Sequence, residues 1–331
     1  SRLLGNNLPV IETFHSFGYS IIKENIDYFE RESNFILILD NEKREILKLF
    51  GIKKDLIEKV ITGISTVKNN FKTDDDIKDP KARDIFDKYE NFLKENNIFD
   101  LDDLLYKPML MFLENKEILE KYKKRFKYIF IDEYQDINYI QYMLIKSISE
   151  NSAYVCAIGD PDQSIYGFRG ADNKFINRFT LDYKNAKIFN LVRNYRSSKY
   201  ILDTANSILE KNKNLIAGFE GDRINIAKYN SELSEAEAIA RIIQNLIGGT
   251  TFFSIDSNVL QEEEKENIGF KDIAILCRIK EQFKPFITAF HNHNIPYYIV
   301  DKEEILGNKI IENIFNILRY SYCENNFFKT L

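Results

Sequence analysis

The chain opens without a clear period. Phe14, Phe17, Ile21 and Ile22 then recur three or four residues apart, which predicts a short loop and a helix within residues 1–30. From 40 to 125 the apolar positions keep this helical period. Helices are predicted over 43–59, 81–97 and 101–124, with a polar loop at 72–79. The acidic triplet Asp74–Asp76 in that loop reads as solvated, because nothing nearby completes a metal-ligand set.

At residue 128 the period changes. Tyr128, Ile129, Phe130 and Ile131 form a continuous apolar run that ends in Asp132 and Glu133, and a helical stretch follows at 137–149. A second run at 154–158 ends in Gly159 and Asp160, and a third at 187–191 follows a further helix. Strands of this kind alternating with helices predict parallel βαβ units in a sheet buried on both faces. Functional groups collect at the carboxyl ends of such strands, where both acidic clusters lie. The alternation resumes beyond Leu191. Helices are expected at 198–211, 235–247, 281–292 and 309–320, and strands at 224–229, 272–277 and 296–300. Ser234 with Glu237 three residues on predicts a capping box for the second of these helices. No role is assigned to the loop at 248–269.

Composition narrows the class. The 331 residues carry a net charge of −5 and 44% hydrophobic content, enough for about two domains with real cores. No apolar run approaches a membrane span, so no membrane association is expected. The N-terminal residues do not read as a secretory signal. Cys156, Cys277 and Cys323 are too few and too scattered for a disulfide framework or zinc, and are expected to be buried in a reducing, cytoplasmic setting. Acidic net charge argues against indiscriminate coating of nucleic acid but leaves room for a local groove.

Three clusters carry chemistry. In the first, a strand-terminal Asp132 can hold Mg²⁺ and the adjacent Glu133 can take a proton from an attacking water; a solvated turn is the alternative. The second runs from Gly159 to Ala171. Gln163 can report on a γ-phosphate, and Tyr166, Phe168 and Arg169 can form a base-stacking platform; a glycine-rich turn with core aromatics is the alternative. The third, from Leu191 to Ser198, offers Arg196 either to a transition-state phosphate or to an ordinary surface ion pair.

Together, DEYQD at 132–136, GDPDQSIYGFRGA at 159–171 and NYRSS at 194–198 resemble motifs II, III and IV of the superfamily 1 DNA helicases of the UvrD/Rep/PcrA type. Weaker matches extend the resemblance over nearly the whole chain. Residues 13–17 resemble an early DNA-contacting motif, 99–105 the end of the 1B insertion, and 272–278 and 295–300 strands of domain 2A. The resemblance implies RecA-like P-loop NTPase parallel sheets, an α/β fold with a helical 1B subdomain inserted. Residues 1–28 and 126–190 would be parts of domain 1A, 29–125 the 1B subdomain and 191–331 the first part of 2A.

It also implies roles. Asp132 would bind Mg²⁺, Glu133 would activate water, and Gln163 would contact the γ-phosphate of ATP and couple it to DNA. Arg196 would be an arginine finger and Tyr195 would stack on the nucleotide base. Thr13, Phe14 and His15 would form the DNA-contact segment, with Thr13 and His15 on the backbone. Tyr166 and Phe168 would stack on single-strand bases beside Arg169; Phe168 stands where many relatives carry Trp. Single-stranded DNA or DNA junctions, and repair proteins, would be the partners.

One element of the pattern is missing. None of the 13 glycines is followed by Lys, so no G-x-x-x-x-G-K-[ST] loop cradles phosphates in these residues. The expectation is therefore an internal piece of a longer ATP-dependent helicase, acting in repair or replication and inactive alone. Such an incomplete sheet would leave strand edges exposed. Two alternatives stand beside it: a non-catalytic module that binds single-stranded DNA or a partner, and the helicase subunit of a helicase–nuclease complex.

Overall fold

The computed structural model describes residues 9–150, 152–165, 167, 173–209, 215–247, 268–300 and Ile314. The chain divides into two units whose boundary falls between Asn190 and Leu191.

In the first unit, α1 (Phe14–Glu24) is capped by Thr13, whose Oγ1 accepts the Ser16 N–H at 3.2 Å. A short strand β1 (Ile36–Ile38) leads into α2 (Asp40–Leu49), α3 (Lys54–Asn69) and α4 (Pro80–Glu95), and β2 (Ile98–Asp100) returns parallel to β1. Sequence periodicity predicts one helix over 43–59. The structure breaks it at Gly51, whose φ of +76° lies in the left-handed region that glycine adopts most readily. The stretch at 101–124 is likewise two helices, α5 (Asp103–Glu114) and α6 (Lys116–Arg125). Asn115 ends one and caps the other through its side chain. The helical pattern of this region gives no hint of the parallel pair β1–β2.

The α5 helix lies against α1 at very short range. A Cβ on Gly18 would sit 1.7 Å from the Leu104 carbonyl oxygen, so only glycine permits the approach. Around this contact Ile21, Leu105, Met109, Phe112 and Tyr122 share a core with Ile140 and Leu144 of α7 (Tyr139–Ser149). Strand β3 (Tyr128–Ile131) and strand β4 (Tyr154–Ala157) pair in parallel, Tyr128 opposite Tyr154 and Ile131 opposite Ala157, with α7 as the crossover. Helix α8 (Lys174–Asp182) contributes Phe175 to the core below β3 and α7.

The expectation of a sheet buried on both faces does not hold among the described residues. Ile131 is buried, but Phe130 is 72% exposed and Tyr154 69%, so the pleat sends alternate side chains into a core and into solvent. The same alternation leaves Cys156 exposed, contrary to the buried cysteines expected; Cys277 is half-buried.

The second unit holds β5 (Arg193–Asn194) and β6 (Ile216–Ala217), a short parallel pair, with α9 (Lys199–Ile208), α10 (Glu232–Leu246) and α11 (Phe283–Asn292). Helices α10 and α11 close a core of Ala236, Ala240, Ile243, Ala289 and Phe290. Several expectations are corrected here. The strand placed at 187–191 is irregular, and pairing begins two residues later at Arg193. The segments at 224–229, 272–277 and 296–300 are not strands, and Asp272 closes a short turn at Phe270–Asp272. Their apolar runs lack ladder partners among the described residues; Ile226 and Leu276 are 93% and 95% exposed. Helix α10 starts earlier than predicted because Ser231, not Ser234, is its cap, and Ser234 returns the bond as the third helical residue. Apart from Ile314, the helix expected at 309–320 lies outside the described residues, as do Cys323 and most of the 248–269 loop.

Candidate functional site

Strands β3 and β4 end side by side, and backbone pairing continues past them. Ile158 donates to the Ile131 carbonyl at 2.8 Å, and Tyr134 donates to the Ile158 carbonyl at 2.9 Å. The two loops that leave the sheet are thus pinned together before any side chain contributes.

Glu133 occupies the left-handed region, with φ 50° and ψ 44°. A non-glycine residue there costs on the order of 1 kcal/mol and requires surrounding bonds to hold it. Its N–H is taken by Asp132 Oδ1 at 3.0 Å, and its Oε2 accepts from Gln135 Nε2 at 2.6 Å. Both acidic side chains are exposed, whereas Gln135 is buried in the tight turn Tyr134–Asp136.

Gln135 also reaches the second loop. Its Oε1 accepts the Asp160 N–H at 3.0 Å, and its backbone carbonyl accepts from Ser164 Oγ at 3.3 Å. Gly159 makes this crossing possible, since a Cβ there would meet Gln135 Oε1 at 2.6 Å. Asp160 then caps the turn Pro161–Gln163 through the Asp162 N–H at 3.1 Å, and holds the Gln163 side-chain amide at 3.0 Å. Asp132, Glu133 and Gln163 are therefore assembled on one sheet end by two residues, Gln135 and Asp160, to which sequence reasoning gave no role. Glycine directly before the acidic turn was the available signal.

The donor chemistry of this end suits a hard divalent cation. Asp132 and Glu133 present exposed carboxylates, and Mg²⁺ takes one or two carboxylates plus phosphate and water rather than an all-protein cage.

On α1, Thr13 and His15 are exposed, and Phe14 is half-buried between two cores. The imidazole pKa of His15 is lowered by partial burial of the ring, against the pull of the Asp102 carboxylate. Asp102 belongs to a set of charges at the base of α2, α3 and α4. Lys68 is fully buried, 3.0 Å from Asp100 and 2.7 Å from Asp103, and Glu90 touches it at 2.7 Å outside hydrogen-bond geometry. Lys43 lies 2.9 Å from Asp102 and 3.5 Å from Asp100. Burial alone would raise Asp100, but Lys68 and Lys43 outweigh it and hold its carboxyl well below the usual range. Burial, and then the Asp100 charge, push Asp103 up to about 7.

In the second unit Asn194 ends β5, and its Oδ1 accepts the N–H groups of Arg196 and Ser197 at 2.9 and 2.8 Å. This Asx turn leaves Arg196 and Tyr195 exposed, with the Arg193 guanidinium 5.2 Å over the Tyr195 ring. Tyr166, Phe168 and Arg169 lie outside the described residues.

Comparison with known proteins matches the sequence to one family. Residues 2–184 match the UvrD/REP helicase N-terminal domain, and residues 189–330 match the UvrD-like helicase C-terminal domain. The chain is 34% identical over 330 residues to the ATP-dependent DNA helicase Rep of Buchnera aphidicola, covering 94% of this chain and 48% of that protein. It is 31% identical over 340 residues to the ATP-dependent DNA helicase PcrA of Staphylococcus aureus, covering 96% of this chain and 44% of that protein. The PcrA of Staphylococcus epidermidis is 32% identical over the same shares. The chain thus spans about half the length of the curated relatives it matches. With two domain models matched in succession and the acidic and glutamine loops joined at one sheet end, the chain belongs to the UvrD/REP helicase family.

Proposed function

We propose that this chain forms part of an ATP-dependent DNA helicase or translocase that moves 3′ to 5′ along single-stranded DNA, in the cytoplasm. In this reading residues 1–28 and 126–190 belong to a RecA-like domain 1A, 29–125 to an inserted 1B subdomain, and 191–331 to the first part of 2A. The observation that carries it is the Gln135 bridge from Glu133 to the loop of Gln163.

Mg²⁺, when bound, would supply Lewis-acid stabilisation of phosphate charge, with Asp132 as its protein ligand. Glu133 accepts a proton from the attacking water, and its carboxylate is aimed by Gln135. Gln163, steadied by Asp160, faces the γ-phosphate of ATP. Arg196 neutralises charge on the transferred group, and Tyr195 stacks on the base, both presented by the Asn194 turn. Thr13 and His15 contact the DNA backbone, with Phe14 seating them on the core. Tyr166 and Phe168 stack on bases beside Arg169.

The 331 residues contain no phosphate-cradling G-x-x-x-x-G-K-[ST] loop, so this chain by itself is expected to hydrolyse ATP weakly or not at all. The test is single-strand-stimulated ATP hydrolysis by this chain and by a version extended upstream through such a loop, each beside Glu133→Gln. Turnover only in the extended version, and lost in Glu133→Gln, supports the reading. Hydrolysis by the short chain overturns the phosphate-loop argument. Silence from both, with oligonucleotide binding retained, favours a non-catalytic single-strand-binding module.

A further inference from the structure

Three polar side chains run in line from the charged base of the inserted helices to the loop that carries Glu133. Asp102 Oδ1 accepts from Asn69 Nδ2 at 2.8 Å, and Asn69 Oδ1 accepts from Asn138 Nδ2 at 2.8 Å. Asn138 Oδ1 in turn accepts the Gln141 N–H at 3.1 Å, and the Gln141 side chain closes the box on the Asn138 N–H at 2.9 Å. Asn138 stands two residues beyond the turn Tyr134–Asp136.

The direction of this chain is fixed at both ends. Asn138 must turn its oxygen toward the first turn of α7 to cap it, so its amide nitrogen faces Asn69. Asn69 must then present its oxygen to Asn138, and its nitrogen donates both to Asp102, which as a carboxylate only accepts, and to the Ser65 carbonyl at 2.9 Å. Asp102 is held in turn by Lys43 at 2.9 Å and Ser65 Oγ at 2.6 Å. Neither asparagine can flip without leaving two donors or two acceptors face to face, and bonds aligned this way polarise one another.

We propose that Asp102 is a positioning residue for the Glu133 loop, acting through a hydrogen-bonded strut of fixed polarity made by Asn69 and Asn138. Asp102 directly precedes α5, which meets α1 where Gly18 lies against the Leu104 carbonyl, so the candidate DNA-contact helix adjoins the helix at whose start the strut begins. The catalytic meaning of the strut rests on the reading of Glu133 given above; the strut itself does not.

Because its polarity is fixed, the strut can be tested by reversal. Asn138→Asp keeps a competent helix cap but removes the donor to Asn69. Asp102→Asn supplies a donor at the far end, where the wild type has none. Each single variant breaks the chain of bonds. In the double variant Asn69 can turn over, donating to the carboxylate introduced at position 138 and accepting from the amide introduced at position 102, while giving up its bond to the Ser65 carbonyl. The chain of bonds then re-forms with opposite polarity.

Amide hydrogen exchange of the intact 331-residue chain provides the readout. Each single variant is expected to speed exchange across residues 132–138 by about three- to tenfold, the range for loss of one hydrogen bond, with residues 142–149 unchanged. The double variant should exchange more slowly over 132–138 than either single variant, falling short of wild type by the bond to the Ser65 carbonyl that the turned Asn69 gives up. Unchanged exchange in the single variants overturns the proposal, and so does additive loosening in the double, which marks two independent structural defects. A second arm adds an oligothymidylate. Protection of 132–138 by the oligonucleotide in the wild type and the double variant, but not in the singles, assigns the strut to DNA coupling. A chain that binds no oligonucleotide counts against the DNA reading, while the exchange comparison without DNA still decides the strut.

Discussion

Gln135 holds the Glu133 carboxylate at 2.6 Å from beneath, although Glu133 itself is solvent-exposed and its backbone is left-handed. The same amide group spans to Asp160, and Gly159 leaves it the room to do so. Gly159→Ala is therefore expected to push Gln135 off Asp160 or Glu133. Overpacking of this kind costs about 1–3 kcal/mol. Urea unfolding of the chain, followed by tyrosine fluorescence, checks it; a midpoint equal to wild type would mean the crossing is loose.

The left-handed backbone at Glu133 predicts an ordering that ignores the carboxylate. Glu133→Ala and Glu133→Gly both remove the acid and its bond to Gln135. Gly relieves the strain and Ala does not, so the Gly variant should be the more stable by about 1 kcal/mol. The difference in unfolding free energy between the two is the measurement, and equal values would contradict the strained geometry.

Lys68 is the common partner of Asp100, Asp103 and Glu90. Lys68→Met should cost about 3–5 kcal/mol near neutral pH, since it leaves buried carboxylates uncompensated. The pH dependence gives the sharper check. In the wild type Asp100 titrates below its unfolded value, so its contribution is present above about pH 4 and is lost only as pH falls through its depressed folded value. Asp103, raised to about 7, acts in the opposite sense, and its proton is released with declining stability between about pH 4 and 7. Removing Lys68 moves all three carboxyls upward, so the variant should regain stability on acidification toward about pH 5 far more steeply than the wild type. Parallel stability curves for the two proteins would rule this out.

Two glycines in helices should respond oppositely to alanine. Gly18→Ala drives a methyl into the Leu104 carbonyl and should lower stability by at least about 3 kcal/mol, or force α1 away from α5. Gly63, in α3, has nothing within 4 Å of where its Cβ would lie. Gly63→Ala should stabilise by about 0.4–1 kcal/mol. Thermal unfolding of both variants provides the comparison.

Much of this was legible in the chain. Apolar runs ending in acid located β3 and β4, because a strand paired within one unit leaves a local signature. The runs at 224–229, 272–277 and 296–300 are apolar too but have no ladder among the described residues, since pairing depends on partners that a local pattern does not contain. Gln135 was invisible as a bridge because its two partners come from different loops, and only the fold brings Asp160 to it. The buried charges left a faint trace. Ile57, Ile61, Ile64 and Lys68 share one face of α3, so a lysine stands where the helical period calls for an apolar residue. Periodicity alone reads that as a flaw in the stripe; Asp100 and Asp103, more than thirty residues on, make it an ion pair.

The contact between Gly18 and Leu104 has a mechanical consequence. With no side chain between the two backbones, movement of α1 toward α5 at this point meets main chain, which cannot yield by changing rotamer as a side chain would. Thr13 and His15 ride at one end of α1, and Leu104 directly follows the Asp102–Asp103 corner. The closest backbone approach between the two helices thus lies one turn from Thr13 and His15 on one side and one residue from Asp103 on the other.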